Sequence, residues 1–225
     1  MNPVATLPAT ATSPRPTAGR PKVLVLACGA LAREFRAVIA ADGLNDLVHL
    51  ECLPASLHNR PSEIPAAVEA RLVRAAGRYD QVLIGYADCG TAGALDEVIA
   101  RWGVERMPGA HCYEFYAGST AFATLHDAEP GTFYLTDYLV RFFDRWVWQG
   151  LWLDRHPELL EAYFGNYTRV VYLSQFPDAV LLAAARDAAD RLGLAFEHVP
   201  TGTGELRPAL LSIGRLSDHR QETTQ

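Results

Sequence analysis

Apolar and polar positions divide the chain into alternating short strands and helices. The first element, Lys22-Val23-Leu24-Val25-Leu26-Ala27, is a continuous apolar run, the pattern of a strand buried on both faces. Cys28-Gly29-Ala30 turns the chain into a helix over Leu31–Ala41, and a second strand follows at Leu47–Leu53. Helical spacing runs from Ile64 to Ala76, and a third strand over Gln81–Tyr86 leads into a helix at Ala92–Trp102. A short segment at Val104–Met107 precedes a helical pattern from Tyr113 to His126. Thr132–Leu135 is extended, and Thr136 caps a long helix over Asp137–Trp152. A short helix from His156 to Phe164, a strand at Arg169–Leu173, a helix at Asp178–Leu192 and a strand at Ala195–Val199 complete the series.

Strands alternating with helices through short loops imply right-handed crossovers and a parallel sheet covered on both faces. The expected fold is therefore α/β, Rossmann-like and doubly wound, with a mainly parallel sheet. The block from Tyr113 to Tyr167 interrupts the alternation and carries most of the Phe and Tyr. It reads as an aromatic helical cap packed across the sheet. Residues 22–216 form one α/β domain in this reading. The Ala-, Thr- and Pro-rich residues 1–21 are a disordered arm, and the polar residues 217–225 a disordered tail.

Composition narrows the function. A net charge of −6 with scattered Arg argues against nucleic-acid binding, which needs a basic stripe. No apolar run is long enough to cross a bilayer, and the first residues lack the hydrophobic stretch of a secretory signal. The expectation is a cytoplasmic protein without membrane attachment. In a reducing compartment its four cysteines are thiols or ligands rather than disulfides.

Three of these cysteines fall at equivalent places in the topology. Cys28 follows the first strand, Cys89 the third, and Cys112 ends the loop after the 104–107 segment. Ligands of doubly wound sheets bind beyond the carboxyl ends of the strands, where such loops converge. Thiolates suit zinc or an iron–sulfur cluster, so Cys28, Cys89 and Cys112 are candidate metal ligands. Simple thiol packing at strand ends is the alternative. Cys52, inside the second strand, reads as a small buried hydrophobe.

His58 and His111 are the candidates for a fourth ligand or an acid–base partner, but His111 adjoins Cys112 and neighbours in an extended loop point apart. Asp88, beside Cys89, could act as a base or orient a ligand, or could cap the following helix. Arg60 and Arg141 could hold a carboxylate substrate, although the spacing of Asp137 and Arg141 also predicts a local ion pair. A G-x-G-x-x-G turn, a Walker A sequence, a G-x-S-x-G elbow and a C-x-x-C pair are all absent.

Five ordered phrases together resemble one family: Cys28-Gly29-Ala30-Leu31, Leu57-His58-Asn59-Arg60-Pro61, Gly85-Tyr86-Ala87-Asp88-Cys89-Gly90, His111-Cys112-Tyr113-Glu114 and Gly131-Thr132-Phe133-Tyr134-Leu135-Thr136-Asp137. That family is the domain of unknown function 1638 (DUF1638), and the resemblance covers roughly 22–173. Two features depart from it: Ala87 stands where a glycine is expected, and the end after Gly204 is short and polar, without a closing helix. The resemblance implies a shared cysteine site, and its loose association with corrinoid and methyl-transfer systems suits zinc–thiolate chemistry. The leading expectation is thus a protein that binds zinc or an iron–sulfur cluster through these cysteines; whether it is an enzyme is left open, a small anionic, thiol- or methyl-bearing molecule being the substrate if it is one. A carrier handing metal or cofactor to a partner protein, and a thiol-based redox protein, are the alternatives.

Overall fold

In the computed structural model, which describes residues 23–212, strand β1 (Val23–Cys28) is buried at every position. Parallel neighbours flank it on both sides, β2 (Val48–Leu53) and β3 (Gln81–Gly85), so neither face nor edge reaches water. Helices α1 (Ala32–Ala41), α2 (Ile64–Ala75) and α3 (Ala94–Trp102) connect these strands, and β3 pairs in parallel with β4 (Glu105–Arg106). Gly85 is required where α1 crosses the sheet. A Cβ there would lie 2.8 Å from the ring of fully buried Phe35 and 2.7 Å from the Ala27 methyl.

The α/β class and the parallel pairing follow the sequence pattern, but the strands divide into two sheets. The first has the order β2-β1-β3-β4; the second has β5 (Thr132–Thr136), β6 (Arg169–Ser174) and β7 (Ala195–Pro200) side by side, also parallel. The first sheet ends because β4 is only two residues long and both are charged, a poor template for another strand. Helices α4 (Cys112–Ala117) and α5 (Ser119–Ala128) then carry the chain away from that edge.

Two expected helices are broken. The 113–126 pattern splits at Gly118, whose φ of +81° lies outside the helical region. The 137–152 pattern yields α6 (Asp137–Arg141) and then a π-helical turn at Asp144–Trp148, in which Gln149 N donates to the Asp144 carbonyl across 2.7 Å. The Thr136 cap is present, its Oγ1 accepting from Leu139 N at 3.4 Å.

The aromatic block covers the second sheet rather than spanning one continuous sheet. Phe143, Val147, Leu153 and Phe164 of α7 (Leu159–Phe164) share a core with Leu135, Val170, Tyr172 and α8 (Ala179–Leu192). The chain then returns to the first sheet. A helical segment over 206–212 buries Leu206 and Leu210 in the first core, and Arg207 pairs with Asp42 at 2.7 Å. This segment stands where the sequence pattern lacks a closing helix. Gly204 permits the return, since a Cβ there would collide with the Phe115 carbonyl.

The expected arm at 1–21 and tail at 217–225 lie outside the described residues. Among the described residues no helix is long and apolar enough to cross a membrane.

Candidate functional site

The loops beyond the carboxyl ends of β1, β2 and β3 meet at one small enclosed cavity. Cys28, Cys89, Cys112, His58, Tyr86 and Phe115 are among its walls. Its volume of about 10 Å³ is that of roughly one water molecule. Cys28 closes β1, and its Sγ accepts from Ala30 N at 3.3 Å. The same sulfur lies 3.5 Å from His58 Nδ1, a thiol–imidazole hydrogen bond reaching across from the loop after β2. His58 is an exposed residue, yet its ring turns inward to stack over Tyr86 at 6.1 Å between centroids.

Cys89 is held in an unusual conformation. Its φ of +52° is in the left-handed region, which disfavours a side chain, and Gly90 follows at +82°. The turn is fastened from both sides. Cys89 N donates to the Ala110 carbonyl at 2.8 Å, and the Asp88 carboxylate accepts from Thr91 Oγ1 at 2.7 Å, Gly93 N at 2.9 Å and Ala92 N at 3.2 Å. Those hydrogen bonds, led by that from Gly93, hold the Asp88 carboxyl below its ordinary range. Its oxygens serve the turn that leads to α3, and Asp88 is not among the cavity walls.

Tyr86 is fully buried, and its hydroxyl makes no well-aligned hydrogen bond, the Cys28 thiol being the one partner within reach. Its nearest chemistry is the Cys28 thiol, whose charge would oppose that of the phenol.

The other expected site residues stand elsewhere. His111 is exposed at the start of α4, its ring 6.2 Å from Tyr113, and it is not a wall of the cavity. Arg60, with 73% of its side chain exposed, pairs with Glu63 at 3.0 Å. Arg141 pairs with Asp178 at 3.5 Å rather than with Asp137. Asp137 is fully buried and accepts instead from Tyr172 Oη at 2.7 Å, Gln175 N at 3.0 Å and Phe176 N at 3.2 Å. The expected local ion pair is thus replaced by longer-range contacts, because α6 turns Asp137 into the sheet edge.

Comparison with known families agrees with the phrases that surround this cavity. A family model described as Protein of unknown function (DUF1638) matches residues 52–210. The chain belongs to that family. The match takes in His58, Cys89, Cys112, both expected arginines and the start of the closing helix, whereas Cys28 lies ahead of it. No curated protein matches the chain.

Electrostatics at the cavity favour neutral side chains. Burial, with further contributions from the neighbouring cysteines, pushes the Cys28 thiol up to about 12. Burial lifts Cys89 to about 11 and Cys112 well above the ordinary range. Burial also lowers His58, helped by the nearby His111, so the imidazole stays neutral at neutral pH. Such thiols are weak nucleophiles but good donors to a soft cation, which displaces their protons. As the side chains stand, no group of three or more His, Cys, Asp or Glu among the described residues is arranged to hold a metal ion. The donor set fits a soft metal in chemistry; the arrangement is not preassembled.

A larger pocket adjoins this cavity, between the two sheets. Its volume is about 290 Å³, and Cys112 and His58 belong to the walls of both spaces. Strand β5 of the second sheet contributes Phe133 and Thr136, and the helical turns that follow it contribute Tyr138 and Trp146. Tyr86 belongs to one of the phrases that carry the family resemblance but was given no role of its own, and Tyr138 was not singled out. Tyr86 ends an apolar run and Tyr138 sits in an aromatic block, and both patterns resemble ordinary core.

Proposed function

We propose that the protein binds a single soft metal ion, zinc being the simplest choice, through Cys28, Cys89 and Cys112, with His58 as the nearest additional donor. The observation that carries this reading is the convergence of three sequence-distant thiols and one imidazole on a single cavity that also buries the Tyr86 hydroxyl. The size of that space favours one ion over an iron–sulfur cluster. The exposed His111 is the less suitable fourth ligand. When bound, such an ion supplies Lewis acidity and lowers the pKa of a coordinated water or thiol. The chain's own part is to bring three sulfurs together, to keep His58 neutral and to exclude water behind Phe115 and Tyr86.

The adjoining pocket favours action on a small molecule over a closed metal store. Four free thiols suit a cytoplasmic setting. The test is metal analysis of anaerobically purified protein. Wild type and Cys52→Ser should hold about one equivalent of metal, and Cys89→Ser should lose most of it, since a neutral hydroxyl replaces a thiolate donor. Equal metal content in wild type and Cys89→Ser would refute the assignment.

A further inference from the structure

The pocket between the sheets has a chemical character of its own. No Asp, Glu, Lys or Arg belongs to its walls among the described residues, and most of its surface is aliphatic or aromatic. Its exposed polar residues, His58 and Asn59, come from the loop after β2. On the side of the second sheet, Trp146 Nε1 donates to Tyr138 Oη at 3.0 Å. That bond uses an acceptor site of the tyrosine and leaves its O–H proton available. Tyr138 is a wall of this pocket and not of the thiol cavity, which the pocket meets at Cys112 and His58. Both arginines that could have neutralised a carboxylate are engaged elsewhere, Arg60 with Glu63 and Arg141 with Asp178. Arg145 lies behind the wall, its guanidinium stacked over Trp146 at 4.8 Å and not among the pocket's walls, so an anion entering would lose its hydration and find no cation inside.

We propose that the pocket between the sheets binds a neutral small molecule with an apolar body and one carbonyl-type acceptor, which takes its hydrogen bond from Tyr138. Calling that molecule the substrate rests on the metal-site reading above; its binding does not. The walls of Tyr113 and Trp146 suit a flat ring, and the shared Cys112 places the bound molecule against the thiol cavity. The inference replaces the anionic substrate expected from Arg60 and Arg141 with an uncharged one.

Ligand-observed NMR titration of the full chain, as purified, tests it with four probes: acetophenone, benzoate, benzylamine and ethylbenzene. Acetophenone should bind, with benzoate and benzylamine at least tenfold weaker, as desolvation of an unpaired charge requires. Tyr138→Phe should weaken acetophenone about three- to tenfold, the worth of one hydrogen bond, and leave ethylbenzene unchanged. Leu139→Trp, which fills the apolar wall, should block both. If Leu139→Trp folds poorly, Tyr138→Phe still decides. Benzoate binding as tightly as acetophenone, no binding of acetophenone, or equal acetophenone affinity in Tyr138→Phe would each overturn the proposal. Metal content measured on the same samples keeps the two readings apart. Ketone binding without metal sinks only the metal site, and metal without ketone binding sinks only this inference.

Discussion

Replacing Glu34 with Gln should stabilise the protein above neutral pH and do little in acid. Glu34 lies on α1, is only 2% exposed, and has one carboxylate oxygen with no hydrogen-bond partner. Around it stand Asp137 of α6, Arg33 of its own helix and the buried Tyr116 of α4. Burial, with repulsion from Asp137, raises its pKa from the ordinary 4.5 to about 7. Each tenfold change in proton affinity is worth ~1.4 kcal/mol, so ionised Glu34 costs the fold up to roughly 3 kcal/mol. The sign follows from proton release. The unfolded chain loses this proton near 4.5 while the folded protein keeps it to about 7, so stability falls across that interval and is flat on either side. Urea unfolding of wild type and Glu34→Gln at about pH 8 should show a gain of about 1–3 kcal/mol in the variant, shrinking to near zero at about pH 4. A gain of equal size at both pH values, or none at about pH 8, would show that the ionised carboxylate is not what costs the fold.

Gly85→Ala should destabilise by about 1–3 kcal/mol, because the new methyl has no room beside Phe35 and Ala27. A loss under about 0.5 kcal/mol in urea unfolding would mean that α1 shifts freely over β3. Metal-free protein should alkylate slowly at Cys89 near neutral pH. A thiol raised from 9.0 to about 11 carries about a hundredfold less thiolate than an ordinary one. The rate should climb tenfold per pH step up to about that value, as read by mass spectrometry against a cysteine peptide, and a fast, pH-independent rate would contradict it.

Local order was legible in the chain itself. An unbroken apolar run marks β1 as central, because only a strand buried on both faces needs no polar alternation. Thr136 marks the start of α6, and Asp178 caps α8 by accepting from Val180 and Leu181 N, since these short polar side chains satisfy backbone donors close by in sequence. The strand-end positions of Cys28, Cys89 and Cys112 followed from the same periodicity, and parallel topology brought their loops to one edge.

What depends on long-range packing was not legible. The division into two sheets turns on which edge β5 joins, and the apolar pattern of Thr132–Thr136 is the same for either partner. The i, i+4 spacing of Asp137 and Arg141 describes a free helix, whereas in the fold Tyr172 and the backbone beyond β6 claim the aspartate. Glu34, on α1, is buried only in the fold, where Asp137 of α6 and Tyr116 of α4 are near enough to interact with it. The strands, the Thr136 cap and the strand-end placing of the thiols can be read along the chain, because each depends on neighbours within a few residues. Which charges are stranded, and that no charged residue walls the pocket beside the thiols, depend on surfaces brought together from distant parts of the chain and emerge only on folding.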